Sequence, residues 1–223
     1  MSAGELRNRE NQAGWERVAR AYAGEQAGED DPALRHTVRE RFCARLRGPR
    51  VLEVGCGPGT DAAALAARGL DVTASDFAPA FLELVRARHP ALRVHLMDMT
   101  APDLPPESFD GIYGFGCFVH LPRALAAQSL RGLRGLLVPG GLLGLQLIES
   151  SRGIEEYTLE GWAGDPACSM LFTCWTRAAI EAQLIAAGYG EVEHVPLPPS
   201  VYDTLPRLVE RGISGYQVFA RRA

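Results

Sequence analysis

The stretch "VLEVGCGPGTDA", residues 51 to 62, decides how this chain is read. Apolar residues at strand density run into Gly55, Gly57 and Gly59, and a helix-forming segment begins at Thr60. Strand, glycine-rich turn and helix in that order open a βαβ unit that holds a nucleotide-like ligand. Phosphates favour such turns when backbone N–H groups and a helix N-terminus converge on them, often with a lysine nearby. This turn is poorly equipped for phosphate. Pro58 removes one N–H from its middle, Asp61 brings a carboxylate to the helix start, and Glu53 adds a second acid. The glycines still let a ligand approach the backbone closely. A cationic or zwitterionic nucleoside fits better than a dinucleotide.

Outward from the turn, strand and helix patterns alternate. Strands are predicted at 50–54, 71–75, 92–97, 109–114 and 141–148, with helical stretches at 60–68, 78–88 and 122–137. Several of the strands are almost wholly apolar, as strands covered on both faces are. Repeated β-α units of this length imply a parallel, doubly wound sheet. After 150 comes a less regular, aromatic segment. Thr176 then caps a helix that ends at Gly188 or Gly190, and the last strands lie near 190–196 and 214–221. Between those strands a loop and a short helix capped by Asp203 are expected.

Residues 1–49 read as a helical cap on a core spanning 50–223, with a substrate-covering segment at about 150–175. Trp15, Val18, Ala19 and Tyr22 share one helix face. A polar break, AGEQAGEDDP, follows, and Pro32 starts a second helix with Leu34, Val38, Phe42 and Leu46 four apart. The arginines from Arg35 to Arg47, with His36, read as its solvated face.

The 223 residues carry no lysine, so all 23 basic residues are arginine. That excludes Schiff-base lysines, lysine general bases and a P-loop lysine. A net charge of −4 argues against general nucleic-acid binding. The five cysteines (Cys43, Cys56, Cys117, Cys168 and Cys174) are scattered without a CxxC, which suits reduced thiols and a cytoplasmic location. The N-terminal segment is polar, without the apolar core of a secretory signal. No apolar run reaches membrane-spanning length. No metal site is expected.

Two further strand ends sharpen the ligand. "DVTASD" ends the second strand at Asp76, where an acid binds ribose hydroxyls. "LMDMT" ends the third, placing Asp98 to accept from an adenine amino group with Met99 against the ring. Taken with "FDGIYGFGCFVHLP", "LVPGGLL" and "FTCWTRAAIEAQLIAAGY", the ordered set resembles the class I S-adenosylmethionine-dependent methyltransferases of the small-molecule type. Residues 53–59 fill the ExGxGxG motif of that family, Asp76-Phe77 its ribose pair and Asp98-Met99 its adenine pair. The resemblance covers about residues 10 to 195.

The resemblance implies a Rossmann-like α/β fold: a seven-stranded, mostly parallel sheet of order 3-2-1-4-5-7-6, with strand seven antiparallel. It implies S-adenosylmethionine as donor and S-adenosylhomocysteine as product. The expected donor contacts are Tyr22, Glu53, Gly55, Cys56, Gly57, Gly59, Asp76, Phe77, Asp98, Met99 and Phe115. Trp15, Tyr157, Trp162 and Trp175 are candidates for the acceptor's walls. His120, just after the fourth strand, is the candidate base, with a pKa class suited to proton removal near neutrality. Cys117 is expected to be a packing residue.

The expected partner is a small molecule of specialised metabolism, with no nucleic acid or membrane, and the protein is expected as a monomer or homodimer. The residues leave open whether oxygen, nitrogen or carbon accepts the methyl group. Three other readings also stand at this point. One is a tRNA or protein methyltransferase that uses the arginine face. Another is a donor-binding module without turnover. The third is a dehydrogenase, because GxGxG phased from Gly57 places Ala62 at the third fingerprint position.

Overall fold

The structure, a computed structural model, describes residues 1–29, 31–198 and 206–223. The expected Asp203 cap lies outside the described residues. Helix α1 (Ala3–Glu29) is followed by α2 (Pro32–Cys43). The Asp31 carboxylate accepts the Leu34 N–H at the start of α2, and Pro32 occupies the first turn, where a missing N–H costs nothing. The predicted break after Tyr22 is not there, and α1 runs on to Glu29. Alanine, glutamate and glutamine dominate that stretch and favour helix, so the chain stops only before Asp31-Pro32.

The core alternates as expected. It runs β1 (Arg50–Val54), α3 (Thr60–Ala66), β2 (Asp71–Asp76), α4 (Pro79–Arg88), β3 (Arg93–Leu96), β4 (Phe109–Gly114), α5 (Arg123–Leu136) and β5 (Leu137–Ser150). After these come β6 (Glu156–Glu160), β7 (Ser169–Thr173), α6 (Arg177–Ala186), β8 (Tyr189–Pro196), the short α7 (Pro206–Val209) and β9 (Ile213–Arg222). Thr176 caps α6, accepting the Ala179 N–H, and Gly188 ends it in the left-handed region at φ +89°.

Seven strands form one sheet in the order β3-β2-β1-β4-β5-β9-β8. The pairs from β3 to β5 are parallel, and β9 is antiparallel to both β5 and β8. Numbered within the sheet alone, that is the expected order 3-2-1-4-5-7-6 with strand seven reversed. Helices α5 and α6 pack one face through Leu130, Leu133, Ile180 and Leu184. On the other face Leu34, Val38 and Phe42 of α2 join Leu65, Leu82 and Val85 of α3 and α4. Phe42 sits against Gly144 and Gly111, where an added Cβ would lie 2.7 and 2.8 Å from its ring. Glycine there lets α2 reach the sheet directly.

The aromatic segment after 150 is more regular than its sequence suggests. It is a hairpin of β6 and β7 that pairs Tyr157 with Phe172 and Leu159 with Met170. Those four side chains share one face by strand alternation. The hairpin leans on α1, where Met170 and Cys168 join Trp15, Val18 and Phe81 in an apolar cluster. All five cysteines are free thiols.

Candidate active site

Strand order reverses between β1 and β4, and the carboxyl ends of strands at such a switch point are where doubly wound sheets bind ligands. A cavity of about 620 Å³ opens there. Its floor is built from the turn after β1, Asp76 after β2, Asp98 after β3 and Phe115 after β4. Its roof is α1, through Trp15 and Tyr22, and the hairpin, through Trp162 and Phe172. The size lies within the range of small-molecule sites.

Asp76 organises the floor. One carboxylate oxygen accepts the Gly57 N–H and the other accepts the Ala78 N–H, each at 2.9 Å. The glycine turn is thereby tied to the end of β2. Burial outweighs these hydrogen bonds and pushes the carboxyl from 3.8 up to about 6. Glu53 is buried below the turn, with Oε2 unpartnered among the described residues. Burial first, then the neighbouring Asp61 carboxylate, holds it well above the usual carboxylate range. Gly55 has φ +61°, and a Cβ there would meet the Cys117 Cβ at 2.3 Å. Gly57, at φ +51°, has open space where its Cβ would be, so a ligand can reach the backbone. Cys117 packs beneath, with burial pushing its thiol up to about 12.

Asp61, read as a carboxylate at the helix start, has partners that the sequence did not reveal. It is buried and bound by Arg35 (2.5 Å) and by Arg39, both from α2. Arg35 also lies over the Phe115 ring, 4.4 Å from its centroid, and lines the cavity. The expected solvated arginine face is thus partly structural: Arg45 pairs with Glu193, and Arg41 donates to the Pro196 carbonyl. The buried Asp61 carboxylate on α3 and the exposed Glu193 on β8 explain the change, because α2 lies on the sheet rather than beside it. His36 is exposed, as expected.

His120 lies in a 3-10 turn (Phe118–His120) after β4. Its Nδ1 donates to the Leu171 carbonyl at 2.8 Å, which leaves Nε2 as the lone-pair nitrogen. Burial lowers its pKa from 6.5 to about 4, so the ring is neutral at physiological pH rather than poised near neutrality. Trp15 and Phe172 meet the imidazole edge to face, at 5.1 and 4.6 Å between ring centroids.

The other expected donor contacts, Tyr22, Cys56, Phe77 and Met99, line the cavity. Gly59 does not; it caps α3 from the left-handed region at φ +85°. Two expected wall residues are elsewhere. Trp175 is buried in the core under the Arg123 guanidinium, because its backbone N–H donates to the Ile148 carbonyl near the end of β5. Tyr157 stacks behind Phe172 at 5.2 Å and supports the wall from outside the cavity. Asp98 accepts Asn8 Nδ2 and its own turn's Thr100 N–H, each at 2.8 Å.

The α1 partners were missed in the sequence. Asn8 reaches Asp98, Asn11 donates to the His120 carbonyl, and Gln12 donates to the Phe77 carbonyl. Glu16 accepts the Ala80 N–H. These residues fall on the stripe that Trp15, Ala19 and Tyr22 continue, so α1 pins three strand ends at once. The available signal was amides at i, i+3 and i+4, in phase with an apolar face.

A doubly wound sheet, a phosphate-poor glycine turn and acids at successive strand ends define a nucleoside pocket. Residues 51–141 match the family model described as a methyltransferase domain. The chain is 36% identical over 160 residues to trans-aconitate 2-methyltransferase of Methylobacterium radiotolerans, covering 66% of this chain and 60% of that protein. The chain spans about half the length, or less, of other curated relatives it matches. Its fold is similar to SAM-bound CalS10, an amino pentose methyltransferase from Micromonospora echinaspora (TM-score 0.65, 25% identity, 90% of this chain and 95% of that one). It is also similar to the 1,6-didemethyltoxoflavin-N1-methyltransferase of Burkholderia thailandensis (TM-score 0.73, 21% identity, 100% and 92%). Residues 51–141 thus match a methyltransferase domain, and the chain is similar in fold to methyltransferases that hold S-adenosylmethionine or S-adenosylhomocysteine.

Proposed function

We propose that the protein transfers a methyl group from S-adenosylmethionine to a small-molecule acceptor. The observation that carries this reading is the Asp76 carboxylate, buried at the end of β2 and latched to Gly57, beside a glycine turn with no basic side chain. The residues fit the donor. Asp76 faces the ribose, and Asp98, Met99 and the stripe on α1 enclose the adenine. The orphaned Glu53 Oε2 meets the amino-acid ammonium, and Arg35 answers its carboxylate. When bound, the donor supplies an electrophilic methyl carbon on a sulfonium. The chain's own part is to align the acceptor, exclude water and receive a proton where the acceptor has one to lose. Positioning of this kind supplies much of the acceleration in a two-substrate reaction.

The relatives named above act on small molecules, which supports the same for this chain. Arg35 and Arg39 of α2 are bound by Asp61, Arg41 donates to the Pro196 carbonyl, and Arg45 just beyond the helix pairs with Glu193, which argues against a nucleic-acid surface there. No described helix is long and apolar enough to cross a membrane. The free thiols support a cytoplasmic location.

Calorimetric titration with S-adenosylmethionine, S-adenosylhomocysteine and NAD tests the reading. Micromolar binding of both sulfur ligands is expected, with no NAD signal. NAD binding alone would overturn it in favour of hydride chemistry.

The donor's affinity is also expected to depend on pH. An ionised Asp76 accepts ribose hydroxyls better than a protonated one, so binding should weaken as pH falls through about 6. The fall should approach tenfold per pH unit. S-adenosylhomocysteine titrations from pH 5 to 8 check this, with Asp76→Asn expected to flatten the profile. A profile that is flat in the unaltered protein would remove the ribose role.

A further inference from the structure

The acceptor end of the cavity has a definite chemistry, and this inference rests on the methyl-transfer reading above. Beyond the donor's strand ends, the walls are the rings of Trp15, Trp162 and Phe172 around His120. Trp162 meets Trp15 at 6.0 Å and Phe172 at 5.2 Å, both edge to face. Such a wall has flat apolar faces and few polar atoms. The polar atoms within it include the Nε1–H of Trp162, buried and unpartnered among the described residues, and Nε2 of His120, whose role as acceptor is set by the Nδ1 donation to Leu171.

The rings of this wall carry no charge of their own. The cations that line the cavity among the described residues are Arg35, bound to Asp61 at the donor's end, and Arg207, exposed at the rim. Glu160 is likewise exposed. An acceptor carboxylate held between the rings, rather than out at the exposed Arg207, would be buried without a counter-charge, which is costly.

We propose that the acceptor is an uncharged, planar, conjugated ring that presents an N–H or O–H to Nε2 of His120 and lies between the aromatic walls. In the transfer, a lone pair of the acceptor's nitrogen or oxygen forms the bond to the methyl carbon. The carbon–sulfur bonding pair stays on sulfur, leaving a neutral thioether. The acceptor's proton passes to Nε2 and then to solvent. Burial makes this imidazole a weak base, with a conjugate acid near 4. It can take a proton that is acidified by conjugation, or that becomes acidic as the new bond forms. It cannot strip an unactivated alcohol. The fit therefore narrows the acceptor by both shape and acidity.

The test uses four probes with the donor present: lumazine and catechol as rings, trans-aconitate and ethanolamine as chain acceptors. Product S-adenosylhomocysteine is quantified for each, and quenching of tryptophan fluorescence is followed in protein saturated with S-adenosylhomocysteine. Transfer to at least one ring, with quenching, and none to the chain acceptors is expected. His120→Asn keeps an N–H for the Leu171 carbonyl and removes Nε2. It is expected to lower ring turnover about 100-fold, with melting temperature and S-adenosylhomocysteine affinity unchanged. His120→Gln, which restores a polar atom near Nε2, should recover ring binding without full turnover. Transfer to trans-aconitate or ethanolamine with the rings inert overturns the proposal. So does ring transfer indifferent to His120→Asn, or a donor-bound protein that methylates none of the four. Failure of the donor itself to bind instead removes the methyl-transfer reading on which the proposal rests.

Discussion

Asp61→Ala is expected to destabilise the protein by about 3–5 kcal/mol, the cost of leaving buried charge without its partner. Asp61 sits in the first turn of α3, where the helix dipole favours a carboxylate. Each of its oxygens is held by a different arginine of α2. The arginine side chains are only 11% and 14% exposed, so water cannot replace what the carboxylate supplies. Alanine would leave two guanidiniums facing each other and the positive end of α3. Asp61→Asn should cost less, since an amide oxygen still accepts one of the two N–H groups. Arg39→Met in the alanine background should recover part of the loss, because it removes one of the stranded charges. Urea unfolding with unchanged slope measures all three. A loss below about 1 kcal/mol for Asp61→Ala would mean the pair behaves as a surface salt bridge. Donor affinity should fall as well, because Asp61 holds Arg35 over Phe115 at the cavity's edge.

The same residue marks the limit of what could be read from sequence. The glycine turn and the acids after β2 and β3 were legible because local periodicity and spacing encode them, whereas the sheet order followed from the family resemblance those motifs carry. Asp61 and the arginines of α2 were each visible, yet their pairing was not. It depends on α2 lying across the sheet, which in turn depends on glycine at 111 and 144 making room for Phe42. Trp175 failed for a related reason. Phe172, three residues before it, forms the acceptor's wall, but beyond the end of β7 the backbone N–H of Trp175 donates to the Ile148 carbonyl of β5 and its ring lies in the core. The break expected after Tyr22 was a misreading of composition: a polar run of alanine, glutamate and glutamine is helix-forming rather than loop-forming. His120 was found by position, but its protonation was not, because burial between three aromatic rings is a tertiary property.

Asp76→Ala is expected to weaken S-adenosylhomocysteine binding at least 100-fold, roughly 3 kcal/mol. Two losses combine. The ribose loses its charged acceptor, and hydrogen bonds to charged groups contribute about 1.5–3 kcal/mol each. The Gly57 N–H also loses the oxygen that anchors the turn, so the empty pocket itself loosens. Asp76→Asn separates the two. Its single oxygen can accept from Gly57 or from Ala78 but not from both, so an intermediate affinity is expected. Unfolding of the ligand-free protein supplies an independent check. The folded carboxyl titrates at about 6 and the unfolded one at 3.8, so protonation favours the fold. The contribution of Asp76 is then greatest at low pH and declines as pH rises from 3.8 through about 6. The stability deficit of Asp76→Ala should therefore be larger at pH 5 than at pH 8, while its binding defect is larger at pH 8, where the native carboxylate is ionised. A variant that binds the ligand normally would end the ribose assignment. One that fails to bind while showing equal deficits at the two pH values would assign Asp76 to the ligand and remove the buried, shifted carboxyl as the source of the pH dependence.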